Sequence, residues 1–553
     1  MSSLFLYYFL CHFLIDLCKP ISGQDNYMKI ILFLFLLFAI TLAGKECFGQ
    51  VTFQKVYGGW TYEYGYSAQQ TSDSGYIITG FTLSAGAGGF DIFLVRTDFN
   101  GDLIWANTYG GTGNEDGNSV CQSSDGGFVI TGYANSTGAD SSDIFLLKVN
   151  TTGDTLWSKT YGGIGNEIGL CVQNTFDGGY VISGITSSFG AGMEDVYLIK
   201  TDSFGDTLWT KVYGGADLDY GYYVEQTIDS GYIISGSSNS FGVGNGDVYL
   251  IRTDLNGDTL WTKSYGGINY DAAFCVHQTT DYGFIISGTT QSYGSGDPQV
   301  HLMKADINGN VIWTKTFGGG FVDNGRSGQQ TSDGGYIVLG TSASFGGGYS
   351  SYLIKTDFNG DTLWTKLIGG TWNEEGYSVQ QTTDGGYIIG GLTNSFGTND
   401  YNFYLVKTDA NGNSNCYTDF APTQIFPFTT QVSNTTTIVS NSNTIVTPQS
   451  FSIYPLDTSN TICSSVGITS PISNQKIIIK IGPNPFSNEL KINTYGKGEI
   501  VMYDLNGKVI LQQNTLEGET KINTKILSSG FYLLHYTDGK TSENLKVMKL
   551  NLE

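Results

Sequence analysis

Between residues 50 and 415 the chain is a succession of short apolar or alternating runs cut by glycine-containing turns. Residues 376–408 show the pattern. GYSVQQT at 376–382 mixes apolar and polar positions, and Asp384-Gly385-Gly386 ends it. YIIGGLT follows as the second strand. A glycine-rich loop, SFGTNDYN, leads to FYLVKTD, and an Asn-Gly turn closes that run. In other copies a fourth run, DTLWTK, comes next. Runs this short, bounded by Asp-Gly and Asn-Gly, predict strands joined in hairpins, because those turn residues tolerate positive φ.

The pattern repeats. Tryptophans stand at Trp105, Trp157, Trp209, Trp261, Trp313 and Trp364, 52, 52, 52, 52 and 51 residues apart. Gly-Gly pairs beginning at Gly58, Gly110, Gly162, Gly214, Gly266, Gly318 and Gly369 keep the same spacing. Four strands per unit and seven units predict an all-β fold, a seven-bladed β-propeller over residues 50–415. The ends of the array complement each other. The last copy stops at Asn411-Gly412-Asn413 without a fourth strand, and the array opens on an orphan strand, VTFQKVYGG, in which Phe53 takes the tryptophan position. Pairing the two ends would close the ring and remove two sheet edges. Phe53 and the six tryptophans are expected to pack between blades.

The stretch YGGTGNEDGNSVCQSSDGGFVITGYANS at 109–136 resembles the bacterial β-propeller repeat family called SBBP. LIKTDFNGDTLW at 353–364 resembles the tryptophan-docking repeat of pyrroloquinoline-quinone propellers. Both resemblances concern single repeats. They imply the fold and carry no function over.

The flanks have other characters. From Met28 the chain reads MKIILFLFLLFAITLAGKECFGQ, a lysine, an apolar run and small residues, which predicts a signal peptide over 28–49 with cleavage after Gly49. Residues 1–27 carry an apolar run of their own and fit best as an upstream segment outside the true reading frame start. Residues 416–470 are rich in Ser, Thr, Asn and Ile, and are expected to be a spacer with some strand character. Cys416 and Cys463 flank it, and an exported protein could join them. Residues 471–553 alternate strands with Asn-Gly, Ser-Gly and Asp-Gly turns, as a small β-sandwich would. Pro483-Asn484-Pro485-Phe486, then VMYDLNGK at 501–508 with Gly507, then LSSGFY at 527–532 with Gly530 and Tyr532, closely resemble the type A C-terminal sorting domain of the type IX secretion system. That resemblance implies the type IX translocon as a partner, passage across the outer membrane, and residence at the cell surface or outside the cell.

Charge narrows the partners. Residues 50–415 hold 37 acids and 14 bases, which accounts for the whole net charge of −23. Such a surface repels nucleic acid and anionic glycans. The four histidines, His12, His277, His301 and His535, are too scattered for the common zinc or triad signatures. One acid follows each Gly-Gly pair by four residues from its second glycine: Glu63, Glu115, Glu167, Asp219, Asp271, Asp323 and Glu374. They are expected to ring one face near the axis. They either bind a cation or cationic ligand, Ca²⁺ being the candidate, or accept backbone N–H bonds, or pair with the base that recurs at Arg96, Lys148, Lys200, Arg252, Lys304, Lys355 and Lys407. The Asp-x-Asn-Gly-Asp turns resemble calcium loops but lack the later bidentate Glu. Loop aromatics Phe189, Phe241, Tyr293, Phe345 and Phe396 could stack on sugars or plug gaps between blades. An enzyme should break the repeat where its catalytic residues sit. The departures are few: His277 and Cys121 replace the usual Gln, and Arg326 is isolated. The expectation is a monomeric, non-catalytic binding module for a protein or glycan ligand, with a polysaccharide lyase or glycosidase as the alternative.

Overall fold

A computed structural model describes residues 50–414 apart from 136–140 and 398–399, strand segments between 418 and 465, and most of 479–549. Residues 1–49, which hold the signal-peptide reading, lie outside the described residues, as do Cys416, Pro483–Phe486 and Gly507. The chain divides into two compact units, Gln50–Gly467 and a second containing Ile468–Glu553.

The first unit is a series of antiparallel sheets, propeller-like in organisation. In sheet 1 the strands are Glu63–Gln70, Tyr76–Thr82, Asp91–Thr97 and Leu103–Gly110. Five further sheets repeat this order, ending with Asp323–Gln330, Tyr336–Ser342, Ser350–Thr356 and Thr362–Ile368. The seventh has three strands from its own repeat, Glu374–Gln381, Tyr387–Thr393 and Asn402–Thr408, and takes Thr52–Tyr57 as the fourth. Phe53 lies opposite Lys407 and Tyr57 opposite Phe403 in that pairing. First strands of consecutive sheets touch one another, and the first strand of sheet 1 also touches that of sheet 7. The second and third strands are buried along their length, with only Tyr133 and Ser350 half-buried, which is why they lack polar alternation.

Contacts between neighbouring sheets repeat with the sequence. Trp209 packs edge-on against Tyr232 of the next sheet at 5.7 Å, and Trp313 against Tyr336 at 5.7 Å. Phe53 does the same against Tyr76 of sheet 1, at 5.7 Å. Each ring also covers the glycine of the turn that follows the third strand of the next sheet. Gly360, at φ 76°, leaves no room for a side chain, since a Cβ there would stand 2.8 Å from Trp313. A tyrosine hydroxyl then donates to that glycine's carbonyl, Tyr161 to Gly205 and Tyr57 to Gly101, each at 2.6 Å.

Residues 416–470 do more than the spacing expected of them. Seven short strands begin at residues 418, 424, 431, 438, 445, 452 and 459, six and then seven residues apart. They pair in turn with the fourth strands of sheets 6, 5, 4, 3, 2 and 1, and finally with Thr52–Tyr57 of sheet 7. The segment retraces the sheets in reverse and gives each a fifth strand. The physical reason is the edge itself: every four-stranded sheet ends in unpaired N–H and C=O groups, and an extended segment satisfies them through backbone alone. A chain ending at Ser414 should therefore melt lower and aggregate more than one ending at Gly467, as thermal melting with light scattering will show.

In the second unit, Ile479–Gly482, Glu489–Thr494 and Gly518–Asn523 form one sheet. Gly498–Tyr503, Val509–Thr515, Gly530–Thr537 and Ser542–Lys549 form another. Leu490, Ile492 and Ile522 of the first share a core with Ile500, Met502, Tyr532 and Leu534 of the second, the arrangement of a small β-sandwich.

Candidate functional site

The recurring acids are buried, and their work is local. Glu63, Glu115, Glu167, Asp219, Asp323 and Glu374 are 0 % exposed and Asp271 1 %. Six of them, all but Glu63, accept a glycine N–H from the turn before. Gly111 N–H donates to Glu115 at 2.7 Å, Gly319 N–H to Asp323 at 2.7 Å and Gly370 N–H to Glu374 at 2.7 Å. A hydroxyl adds a second bond, Thr186 to Glu167 at 2.7 Å and Ser292 to Asp271 at 2.6 Å. No open ring of carboxylates faces solvent at these positions. The recurring bases go elsewhere too. Arg96, Lys148, Lys200, Arg252, Lys304, Lys355 and Lys407 pair with the aspartates of the Asp-Gly turns, for example Arg96 with Asp73 at 2.5 Å and Lys407 with Asp384 at 2.9 Å. These contacts hold Asp125 and Asp177 down at about 2 despite partial burial.

The acids have unexpected neighbours. The third strands of sheets 1 to 4 open on Asp91, Asp143, Asp195 and Asp247. A side chain on Gly110 would stand 2.0 Å from Asp91 Oδ1 and 2.6 Å from Glu115 Oε2, so two buried carboxyls flank one glycine. Burial, then repulsion from Glu115, Glu167 and Asp271 respectively, pushes Asp91 and Asp143 up to about 6 and Asp247 up to about 7. Sheets 5 to 7 hold Gln299, Ser350 and Asn402 at the same place.

The Asp-x-Asn-Gly-Asp turns are closed on themselves. Asp98 Oδ1 accepts from Asn100 N–H and Asp102 N–H, both at 2.8 Å. Their last residue meets a lysine of the preceding sheet, Lys211 with Asp258 at 2.9 Å. Among the described residues no group of three His, Cys, Asp or Glu side chains is placed to hold a metal ion. The loop aromatics Phe189, Phe241, Phe345 and Phe396 are partly buried against core clusters, and Tyr293 donates to Gly266 O at 2.6 Å.

Departures from the repeat gather on the first strands, which touch one another from sheet to sheet. The eighth residue after the first glycine of each pair is Tyr66, Asn118, Leu170, Tyr222, Phe274, Arg326 and Tyr377. All are half-buried, and successive ones touch: Tyr222 on Phe274 at 4.8 Å, Arg326 over Phe274 at 4.9 Å and over Tyr377 at 5.3 Å, Tyr377 on Tyr66 at 5.3 Å. An aromatic arc with one guanidinium thus spans sheets 4, 5, 6, 7 and 1.

Three residues further along each strand, glutamine is usual, and its side-chain oxygen accepts a backbone N–H from the neighbouring sheet, as Gln69 does from Gln122 at 2.9 Å and Gln380 from Gln70 at 2.7 Å. Glu225 keeps that bond, accepting from Gln278 N–H at 2.9 Å, and its other oxygen pairs with His277 Nδ1. His277 Nε2 lies 3.4 Å from the Tyr223 hydroxyl, which accepts from Gln173 at 3.2 Å. Burial works to lower the His277 pKa, but neighbouring Cys275 and Glu225 outweigh it and hold it well above the ordinary value. Cys121, the other departure, is buried and free, and burial pushes its thiol up to about 12. Asp116 was not singled out by sequence. It is 7 % exposed, burial pushes it to about 7, and Oδ1 has no hydrogen-bond partner among the described residues. The doubled acid Glu115-Asp116 was its one signal.

Residues 480–550 match the family of secretion system C-terminal sorting domains. The chain is therefore exported through the type IX secretion system to the cell surface or the extracellular space, and its tail engages that machinery. Within this module Gly530 opens a strand and Tyr532 is buried in the sandwich core. The chain is also similar to the regulatory protein FlaEY of Caulobacter vibrioides, 24% identical over 328 residues, 53% of this chain and 32% of that protein. It thus spans about a third of that relative's length. Among solved structures it is similar to PorZ, a bacterial surface component of the type IX secretion system of Porphyromonas gingivalis, at 9% identity and a TM-score of 0.25, covering 88% of this chain and 81% of that one.

Proposed function

We propose that residues 50–415 form a closed seven-bladed propeller, exported by a signal peptide at 28–49 and the C-terminal sorting domain, and that it works outside the cell as a non-catalytic binding module. The axial arc is the binding surface. The observation that carries this is where the repeats differ. Capping acids, turn aspartates and packing tryptophans recur in nearly every copy. The eighth position changes from Tyr to Asn, Leu, Phe and Arg, and it is half-buried rather than packed away. A scaffold needs sameness; an asymmetric ligand needs such a ring.

The test is a glycan and protein array probed with the exported chain and with Tyr66→Ala/Tyr222→Ala. Retained ligands should be lost or weakened at least tenfold in the double variant. Binding that ignores both substitutions moves the site elsewhere, and an empty array removes the reading.

A second reading, a polysaccharide lyase or glycosidase, draws on Glu225, His277 and Tyr223, groups able to transfer protons. Both histidine nitrogens are engaged within that network, which suits positioning more than turnover. Release of reducing ends or unsaturated products in the same screen would favour the enzyme.

A further inference from the structure

Arg326 differs from every other base of the repeats. Residues 50–415 contain fourteen Lys and Arg. Eleven of the others pair with aspartate. Two, Lys263 and Lys366, donate to the amide oxygens of Asn310 and Asn413 at 2.8 and 2.9 Å. Arg326 meets no acid and no amide among the described residues. Its Nε is buried without a hydrogen-bond partner, and so is Nε2 of Gln329 on the same strand. Rings cover it instead, Phe274 at 4.9 Å and Tyr377 at 5.3 Å.

Rings stacked on a guanidinium occupy its faces and leave its in-plane N–H donors free. A buried donor without a partner is costly, and the other thirteen bases of residues 50–415 each have a side-chain partner. The complement of that planar fork is a carboxylate, which it grips through two parallel bonds. Tyr66 and Tyr222 extend the aromatic arc on either side, offering flat apolar faces to the body of the ligand. The surrounding charge sets a further condition. The unit carries a large excess of acid, so a polyanion is repelled at long range while a single carboxylate loses little and gains the fork.

We propose that Arg326 anchors a ligand bearing one carboxylate on a ring-shaped body, with Phe274 and Tyr377 holding the guanidinium edge-on to it. This rests on the axial binding surface proposed above and names the chemistry of its ligand.

The experiment titrates the full exported chain with glucuronate and benzoate, and with their neutral counterparts glucose and benzamide, by calorimetry or ligand-observed NMR. At least one carboxylate should bind ten times tighter than its neutral counterpart, and which one tells a sugar ring from an aromatic one. Arg326→Gln should abolish that difference, and Arg326→Lys, which keeps the charge without the fork, should recover only part of it. Both variants should melt within a few degrees of the parent, since among the described residues Arg326 makes no hydrogen bond to lose. Equal binding of charged and neutral probes, or binding unchanged in Arg326→Gln, overturns the proposal. If the array ligands still bind both parent and Arg326→Gln while no carboxylate does, the inference falls and the binding module stands. If nothing binds in either format, both fall.

Discussion

A chain that begins at Gly58 should aggregate, or melt about 10 °C or more below one that begins at Gln50. The strand it lacks, Thr52–Tyr57, is fully buried and lies between two partners, Asn402–Thr408 on one side and Ser459–Ser465 on the other. Removing it opens two ladders at once. It also removes Phe53 from Tyr76, Tyr57 from the Gly101 carbonyl, and the Lys55–Asp102 pair. Gln54 goes too, which donates to Ser414 at 2.7 Å and accepts from Tyr404 at 2.5 Å. Loss of a large buried aromatic costs ~3–5 kcal/mol, and whole domains are stable by only ~5–15 kcal/mol. Differential scanning fluorimetry of the two chains checks this. Melting points within a few degrees would mean that the N-terminal strand is not what completes the last sheet. Adding a peptide of residues 50–58 to the shortened chain should raise its melting point in a dose-dependent way, since a partner that binds only the folded state stabilises it by mass action.

That strand was legible because it leaves a mark on both ends of the array: Phe53 stands in a tryptophan register, and the last repeat stops before its own tryptophan. The four strands of each unit were legible for a similar reason, since buried central strands must be apolar and hairpins must have their glycines. The outer strands between 418 and 465 were less so. An edge strand that binds through backbone needs no apolar alternation, so Ser, Thr and Asn serve as well as Val. Only the seven-residue spacing of pairs such as Ile438-Val439 and Ile445-Val446 marked it. Of the readings open for the recurring acids, the one in which they accept backbone N–H bonds is the one the contacts carry. Their recurrence predicts a ring, but the turn between Gly-Gly and the acid folds back so that the carboxylate caps the second glycine's N–H. Nothing in composition gives that turn its shape. The recurring base matched them in number, yet its partner is the turn aspartate on the same sheet, as in Lys200 with Asp177. On the first strands, departure from the repeat is visible in the sequence alone, at Cys121, His277 and Arg326, whereas the contacts those residues make are not.

Stability should peak on the acid side of neutrality, near pH 4.5 to 5.5, and fall as the pH rises towards 8. Two sets of carboxyls act in opposite directions. The turn aspartates, Asp125 and Asp177 at about 2 among them, are held below their unfolded value, so their contribution is complete above about pH 4 and is lost as the pH falls through 2. Asp91 and Asp143 at about 6 and Asp247 at about 7 are held above it by burial and by the second carboxyl beside each. Between the unfolded value near 4 and these, the folded chain binds more protons than the unfolded one, so stability declines with rising pH. Two to three units at about 1.4 kcal/mol each put the penalty at no more than roughly 3 to 4 kcal/mol per pair, an upper bound for pairs that titrate together. Sheets 5 and 7 show the remedy, holding the neutral amides Gln299 and Asn402 where sheets 1 to 4 hold aspartate. Asp91→Asn, Asp143→Asn and Asp247→Asn combined should therefore raise the melting point at pH 8 by several degrees and change it little at pH 4.5. Asp217→Asn, an exposed charge removed from the same unit, controls for the general relief of negative charge and should do much less. The melts are run in EDTA so that no divalent ion masks the repulsion. A melting point that climbs steadily from pH 4.5 to 8, with the triple variant weaker than the parent at pH 8, would show that the paired carboxyls are stabilising as anions and that a proton is not what holds them together.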